Sequence, residues 1–594
     1  MKNSLIKKLA CATLAGAMVF GATACNKSGN GGNGGNGGGG GTGGVAATEI
    51  SVLLLEGTGT RNNAISWIRN AAKRFSEAKK DEIYETGKKG VTIRVSPNKK
   101  IPYDTLASAG EDIYLDEAKT DFYRHSASGN LMQLDEVIDY IKNDQKLTID
   151  KDVEKRLLGF ESSDGVRHYY GLPHYEWYNS ITYDVDYFNE LGLYFAKEGA
   201  TASIDYESKI FKENVKFVDP SDMQKSCGPD GEYGTLDDGL PSSLEELAKL
   251  CEKIKSLGTA PFTIPDGSSY SFHMPQAIWA ALEGYETMKS VTANFSDKPV
   301  ELVKGFKKGE FFFNDTRILM PETEKVVLNN ENGYRMYDMA SRYYALSFMQ
   351  LAYDNEWFHE DTLKSSASAD AVQMNFIAPG KTNRVAMYID GTYWYHEAQL
   401  SSLQPFELWA MSSGGAPRNL SYMCLPTQLK GSVKEGEGKK NTIFNVGSSF
   451  MFVNKRVEEK EGRKRAVLDF LKFLYTEKEL ATFTEFLGMN IPINYNYDET
   501  KLGDYYYTSL KEIRKKSDVL TIASDNPIQY KNLSNFLFGF GGVTSYFNVK
   551  NEKNQNGLIP AFVNGITAET IFNGQRLDSA TWKTLLENAG IKTE

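Results

Sequence analysis

Short apolar runs alternate with helix-period segments in this chain, and this alternation is what most constrains its fold. Residues 50–55 form a short, mostly apolar run that fits a buried parallel strand. Apolar residues then recur at helical spacing at Ile65, Ile68 and Phe75, and residues 91–95 form the next predicted strand. Strand, helix and strand in this order indicate right-handed crossovers and a parallel sheet.

The later part of the chain continues the same pattern. Ser242 and Glu245 predict a capping box at the start of a helix. Residues 385–389 and 449–453 are predicted strands, and residues 466–488 have the apolar spacing of helices. The sequence shows no repeat of fixed period. The predicted fold class is therefore α/β.

In sheets of this kind, ligands bind beyond the carboxyl ends of the strands. The loops that begin at Glu56 and at Asp116 lie at such ends. Side-chain oxygens in these loops and after the strand at 385–389 could accept hydrogen bonds from ligand hydroxyl groups, although acidic loop residues are also often simply solvated. These candidate binding residues are Glu56, Thr58, Asp116, Glu117 and Asp390.

The first residues have the features of an export signal. Three lysines precede an apolar run at residues 9–20, which is too short to span a membrane. Small residues that end at Cys25 resemble a bacterial lipobox, which implies a signal peptide at residues 1–24 and a lipid on Cys25. Ala22 stands where a lipobox usually has Leu, and ordinary export with cleavage near Ala24 would leave Cys25 as a free thiol.

Residues 25–48 are predicted to be the lipidated cysteine and a tether. Residues 28–44 are Gly with a little Asn, Ser and Thr, so they cannot bury apolar surface and should form a flexible linker. No later stretch is long and apolar enough to span a bilayer. Lipid is therefore the predicted anchor, and the body is expected at the extracytoplasmic face of the cell membrane.

Charge and aromatic content narrow the range of partners. The formal net charge is −10, whereas nucleic acid and anionic membrane surfaces bind basic faces. Aromatic residues make up 12% of the chain, with 33 Tyr. Such an excess fits wet surfaces that bind sugars, and it fits packing in a large protein equally well. The sequence thus predicts no nucleic-acid partner.

Three cysteines remain after the leader, namely Cys227, Cys251 and Cys424. Their spacing is not that of a metal site, and an odd number gives no paired framework. Buried free thiols are predicted, with a Cys227–Cys251 disulfide as the alternative.

Several motifs resemble a known family. Residues 165–173 end in Gly-Leu-Pro, and residues 181–184 and 187–193 follow with Ile-Thr-Tyr-Asp and Tyr-Phe-Asn-Glu-Leu-Gly-Leu. Residues 386–395 then give a strand and an aromatic loop, and residues 466–488 give paired helices. In their order and spacing these motifs resemble the extracellular solute-binding proteins related to maltose-binding protein (family 1), which serve ABC transporters. The resemblance covers most of the chain after the tether.

Two features depart from the family pattern, because Asp184 replaces a usual Asn and a long insertion precedes the Pro and helix at residues 240–247. The resemblance implies a two-lobed periplasmic-binding-protein-like fold with a hinge and an interlobe cleft. It places a solute-binding domain at residues 49–594, with a first lobe at about 49–173 and 425–490 and a second lobe at about 174–424 and 491–594.

The resemblance also implies which residues line the cleft. Tyr393 occupies the position of a family aromatic that stacks on a sugar face, and Trp394 is the next candidate, although neighbours on an extended segment face opposite ways. The segment after the first crossing lines the cleft floor in the family. There Glu176 could accept hydroxyl hydrogen bonds or form an interlobe salt bridge, and Trp177 and Tyr178 could stack on a ligand.

An acidic, Gly-kinked loop at residues 228–239 is a separate feature. Its carboxylates could bring hard oxygens together for a structural Ca²⁺ away from the cleft, although the spacing is not that of an EF-hand and a solvated acidic loop is the alternative. The candidate metal ligands are Asp230, Glu232, Asp237 and Asp238.

The predicted function is the lipid-anchored substrate-binding component of an ABC importer that captures an oligosaccharide and delivers it to ABC permease subunits. The protein is expected to be a monomer, to need no cofactor beyond the candidate Ca²⁺, and not to be an enzyme. A carbohydrate-binding surface lipoprotein without a transport role is one alternative. A secreted glycan-active enzyme is another and would need two carboxylates across the scissile bond. No nucleophile elbow, zinc motif or phosphate loop is present in the sequence.

Overall fold

The structure is a computed structural model, and the residues it describes fall into fourteen stretches. Cys25, Glu56, Thr58 and Glu117 lie outside them, as do the predicted signal peptide and most of the predicted tether. The described residues are 45–54, 61–97, 106, 108–116, 121–265, 267, 270–308, 317–364, 368–379, 384–445, 449–521, 526–532, 557–574 and 576–592.

Strands are numbered here in chain order. They are β1 Thr48–Leu54, β2 Val91–Pro97, β3 Ile113–Asp116, β4 Thr148–Ile149, β5 Leu158–Glu161, β6 Arg167–Tyr169, β7 Leu172–Pro173, β8 Asn179–Asp184, β9 Ser203–Ser208, β10 Glu213–Val218, β11 Ala260–Thr263, β12 Pro299–Lys307, β13 Met320–Val327, β14 Val385–Gly391, β15 Leu420–Tyr422, β16 Thr442–Asn445, β17 Phe450–Val453, β18 Ile493–Asn494 and β19 Asp518–Thr521.

The α-helices are numbered in the same way, and short 3₁₀ or π turns extend several of them. They are α1 Arg61–Ala78, α2 Asp121–Ala127, α3 Asp135–Asp139, α4 Lys151–Leu157, α5 Val185–Leu191, α6 Leu244–Ser256, α7 His273–Glu283, α8 Tyr285–Met288, α9 Ala340–Asp354, α10 Glu360–Leu363, α11 Ala369–Ile377, α12 Trp394–Gln399, α13 Pro405–Ser412, α14 Glu461–Leu474, α15 Glu477–Leu487, α16 Tyr505–Lys516, α17 Pro527–Tyr530, α18 Leu558–Val563, α19 Ala568–Gly574 and α20 Ser579–Asn588.

The first lobe is built on a five-stranded sheet in the order β2-β1-β3-β17-β7. Strand β1 pairs in parallel with β2 and β3, as the alternation of strands and helices predicts. Strand β17 joins antiparallel to β3 and to β7, so the sheet is mixed and not purely parallel. The difference arises because β17 enters from a distant part of the chain, which no local pattern reveals.

The second lobe is built on a four-stranded sheet in the order β11-β14-β8-β15. Strands β11 and β14 are parallel, whereas β8 is antiparallel to both β14 and β15. Two antiparallel hairpins, β9–β10 and β12–β13, extend this lobe. Strand β14 is buried along its whole length, which explains its apolar sequence.

Separate cores support the two lobes within the compact unit at residues 46–594. The first core draws buried residues from 50–175 and from 450–493, and the second-lobe cores draw them from 178–444 and from 506–589. Leu425 and Phe444 pack in the second lobe, so the chain returns to the first lobe at β17, later than the predicted boundary at 425. Ile493 still packs in the first core, so the last crossing follows β18.

The start of α6 shows how a local signal can be displaced by one residue. The hydroxyl of Ser243 accepts a hydrogen bond from the Glu246 amide at 3.1 Å, and the Glu246 carboxylate accepts one from the Ser242 amide at 2.7 Å. Ser243 is therefore the N-cap of the helix, and Glu246 bonds back to the amide of the preceding Ser242, whereas the predicted capping box was Ser242 with Glu245. The predicted pair was therefore wrong by one position, although the helix itself is present.

Two further sequence predictions concern thiols and membrane spans. Cys227, Cys251 and Cys424 are all buried free thiols, as predicted. None of the helices in the described stretches combines the length and the apolar character that crossing a bilayer requires.

Candidate functional site

Trp177 and Tyr393 meet where the two lobes join. Trp177 lies on the crossing segment between β7 and β8, and Tyr393 lies two residues after β14. Their ring centroids are 5.1 Å apart and their planes are nearly perpendicular, at 88°. Both half-buried rings pack against the first core, and Tyr393 also packs against a second-lobe core. The structure thus brings together, at the lobe junction, two residues that the sequence placed in the cleft.

Gly391, the last residue of β14, makes this arrangement of rings possible. A Cβ atom at this position would collide with the Tyr393 ring and with the indole of Trp177. The absence of a side chain therefore lets both aromatic rings approach the end of the strand.

A neutral polar network adjoins the aromatic pair. The His273 imidazole lies 5.6 Å from the Trp177 ring, and its Nδ1 atom lies 2.6 Å from Oδ1 of Asn179. The Asn179 amide in turn donates to Oε1 of Gln276. Burial lowers the pKa of His273 to about 3, so the imidazole is neutral at physiological pH. The network can donate and accept hydrogen bonds without adding charge.

Tyr270 extends this cluster by stacking on His273, with ring centroids 5.5 Å apart and an interplanar angle of 20°. The sequence reasoning missed Tyr270, His273, Asn179 and Gln276. A signal was present for two of them, because Tyr270 and His273 follow β11, and ligands bind beyond the carboxyl ends of parallel strands. Strand β11 itself was not recognised in the sequence.

Asp390 contacts the Tyr393 side chain and does not present a free carboxylate to a ligand. It is buried, accepts a hydrogen bond from the Tyr388 hydroxyl at 2.9 Å and one from the Gly391 amide at 2.7 Å, and is also hydrogen-bonded to Tyr393. Burial raises its pKa to about 7. The predicted direct role in binding ligand hydroxyl groups therefore does not match its position; it holds the Tyr393 side chain.

Glu176 and Tyr178 turn away from the aromatic pair. Nε of Arg514 on α16 lies 2.5 Å from Oε1 of Glu176 and donates to the Tyr178 hydroxyl at 2.7 Å. Both residues are buried. The predicted ligand contacts of Glu176 and Tyr178 are thus replaced by this ion pair, and the salt-bridge alternative for Glu176 is the one observed. The reason is alternation, since neighbours on an extended segment face opposite ways.

Trp394 and Asp116 are also placed differently from the prediction. Trp394 is fully buried in a second-lobe core, where its indole donates to the Thr182 hydroxyl at 3.1 Å. Asp116 is the last residue of β3, is buried, and pairs across the sheet with Phe450. Because both side chains are buried, Trp394 is not accessible for stacking on a ligand, and Asp116 is not accessible for hydrogen bonds with ligand hydroxyl groups.

The carboxylates of the acidic loop point at backbone amides. Asp230 accepts from the Glu232 amide at 2.8 Å, Asp237 from the Asp230 amide at 3.0 Å, and Asp238 from the Gly234 amide at 2.8 Å. Across the described stretches, no group of three or more His, Cys, Asp or Glu side chains is arranged to hold a metal ion. Binding of Ca²⁺ by Asp230, Glu232, Asp237 and Asp238 stays a prediction.

Comparison with known proteins identifies the fold of the chain. No protein-family model matches the chain, and no curated protein sequence matches it. Among solved structures, a chitin oligosaccharide binding protein is similar with a TM-score of 0.51 and 12% identity, over 92% of this chain and 99% of that chain. At this identity the likeness establishes the fold.

Two other solved structures were compared. One is a mannobiose-bound binding protein of an ABC transporter from Bifidobacterium animalis subsp. lactis, with 15% identity over 91% of this chain and 95% of that chain and a TM-score of 0.47. The other is the bacterial solute receptor AcbH, with 13% identity over 92% of this chain and 99% of that chain and a TM-score of 0.46.

The chain therefore has the two-lobed α/β fold of solute-binding proteins, and the fold class predicted from the motifs is confirmed. Its aromatic pair lies at the junction of the lobes, and the neutral polar network adjoins that pair through the contact of His273 with Trp177.

Proposed function

We propose that this protein is the lipid-anchored substrate-binding component of an ABC importer, and that it captures a carbohydrate, an oligosaccharide in particular, between its lobes. The observation that carries the proposal is the Trp177–Tyr393 pair beside the Asn179–His273–Gln276 network. Sugar rings have apolar CH faces that aromatic rings cover, and hydroxyl groups that neutral amides and imidazoles bind. The protein with the shared fold is named for binding chitin oligosaccharides.

The charge state of the junction supports a neutral ligand. His273 is uncharged, and because burial raises the pKa of Asp390 to about 7, its carboxyl group is mostly protonated below pH 7. An unpaired ionic ligand would find no opposite charge in this cluster, whereas a sugar needs none. The buried amide nitrogen of Gln276 has no hydrogen-bond partner in the described stretches, and a ligand hydroxyl is a suitable acceptor for it.

Removing the aromatic pair tests the binding site. Trp177→Ala and Tyr393→Ala should each weaken binding of the best oligosaccharide by about tenfold to a hundredfold, because each removes a stacking surface whose contribution is about 1–3 kcal/mol. Isothermal titration calorimetry after a glycan-array screen measures this change. Tyr233→Ala, a surface tyrosine 47% exposed, is the matched control and should bind normally. Equal affinity in all variants would place the sugar elsewhere.

A second experiment separates transport from its alternatives. Deleting the gene should abolish uptake of the bound oligosaccharide by the cell, and mass spectrometry should recover the sugar unchanged after incubation with the purified protein. Normal uptake would favour a surface lipoprotein without a transport role. Shorter sugar products would favour a glycan-active enzyme. Mass spectrometry of the mature N-terminus would test the lipid on Cys25.

A further inference from the structure

A cavity of about 500 Å³ lies at the hinge, and its lining includes neither Trp177 nor Tyr393. Trp177 contacts Tyr393, whereas its neighbour Glu176 faces the other way and pairs with Arg514, which lines this cavity. The cavity is therefore separate from the site at Trp177 and Tyr393.

Both lobes contribute walls to this hinge cavity. The first lobe supplies β4 and β18, which pair through Ile149 and Ile493, and residues 490–497 around them. The second lobe supplies one face of α16, through Lys511, Arg514 and Lys515. The width of the cavity thus depends on the angle between the lobes.

Each cation of the lining already has an anionic partner. Lys511 pairs with Glu499, Arg514 with Glu176, and Lys515 with Glu512 at 3.1 Å. The remaining acidic group of the lining, Asp150, caps α4 by accepting from the amides of Asp152 and Val153. Because each of these cations already has a partner within the protein, an anionic ligand would compete with that partner, whereas an uncharged ligand would not.

Neutral hydrogen-bonding groups complete the lining. The side chains of Asn490 and Asn494 make no hydrogen bond within the described part of the chain, and both line the cavity. Each amide offers a donor and an acceptor, which matches pairs of adjacent hydroxyl groups. Tyr497 adds a ring that the Lys511 ammonium group covers on one side, 4.6 Å from the centroid. A volume of this size accepts a monosaccharide or disaccharide.

We propose that the hinge cavity is a second binding site, for an uncharged polyhydroxyl compound of the size of a monosaccharide or disaccharide. Its walls belong to both lobes, so an occupant favours the lobe angle at which those walls fit it. Occupancy then changes the affinity of the site at Trp177 and Tyr393, and by linkage the effect is reciprocal. The coupling rests on the proposed function, whereas the existence of the site does not.

The test uses the full chain and a defined panel: glucose, mannose, galactose, xylose, N-acetylglucosamine and their β-1,4-linked disaccharides. In a Trp177→Ala/Tyr393→Ala variant, calorimetry and ligand-observed NMR should detect one remaining site for at least one panel member. Adding Asn490→Leu and Asn494→Leu should weaken that remaining binding at least tenfold. Asn143→Leu, an exposed asparagine of the first lobe outside the cavity, is the matched control.

The proposal is overturned if no panel member binds the aromatic double variant, or if binding to it is unaffected by the two asparagine substitutions. Circular dichroism, and retained binding at Trp177 and Tyr393 when only the asparagines are changed, show that the variants are folded. Failure of the proposed function gives a different result, because removing the aromatic pair would then leave the wild-type affinity and stoichiometry intact.

Discussion

At the scale of single residues, Asp390 gives the chain a measurable dependence on pH. Its pKa is raised from 3.8 to about 7 by burial, so folding favours the protonated carboxyl group. Its contribution to stability is therefore complete below about pH 4 and is lost as the pH rises through about 7. The free energy of unfolding of Asp390→Asn, relative to that of the wild type, should therefore rise by about 2–3 kcal/mol when the pH is raised from 5 to 8.

Urea unfolding at the two pH values measures this difference. Hydrogen bonds that the Asn side chain fails to make lower the free energy of unfolding of the variant by the same amount at both pH values. The raised pKa of Glu283 is common to both proteins, so neither effect alters the comparison. Asp370→Asn, at an exposed position, should follow the wild type. A difference between Asp390→Asn and the wild type that does not change with pH would contradict the assignment.

At the scale of elements, the end of β14 positions the aromatic pair. Gly391→Ala would place a methyl group against the rings of Tyr393 and Trp177, so at least one ring must move. We expect oligosaccharide affinity to fall at least tenfold in calorimetry while the far-ultraviolet circular dichroism is retained. Gly574→Ala is the control, because a Cβ there meets no atom within 4 Å. Unchanged affinity for Gly391→Ala would show that the rings do not contact the sugar.

At the scale of the whole molecule, side-chain contacts outside the crossing segments hold the lobes in the observed arrangement. The Tyr530 hydroxyl donates to Glu161 at 2.9 Å, and the Arg167 guanidinium lies 4.1 Å from the Tyr530 ring centroid. The Tyr285 hydroxyl donates to Asp152 at 2.6 Å. Glu161, Arg167 and Asp152 belong to elements of the first lobe, and the two tyrosines to elements of the second, so these contacts exist only when the lobes are close.

A Tyr285→Phe/Tyr530→Ala variant should therefore populate more open forms. Its radius of gyration from small-angle X-ray scattering should rise in the absence of ligand, and oligosaccharide affinity should fall about fivefold to fiftyfold, since hydrogen bonds to charged groups and a cation–π contact are lost. Tyr505→Phe, at a 39%-exposed position, serves as the control. Scattering and affinity identical to those of the wild type would mean that these contacts do not govern closure.

The sequence by itself determined the local elements and part of the site. Apolar spacing identified β1, β2, α1 and the helices near residues 466–488, because the periods of 2 and 3.6 are local properties of the backbone. The family resemblance also predicted that Trp177 and Tyr393 line the cleft, and the structure brings their rings into contact at the lobe junction. The number and spacing of the three cysteines favoured free thiols over a Cys227–Cys251 disulfide, and all three are free.

Only the tertiary structure decided which way the other side chains face. Glu176 is bound by Arg514, 338 residues further along the chain, and Trp394 by Thr182, 212 residues back. The mixed first sheet likewise depends on β17, which returns from residue 450 to pair with β3. Partners so far apart leave no trace in a local period, because burial and hydrogen bonding depend on which segments meet after folding.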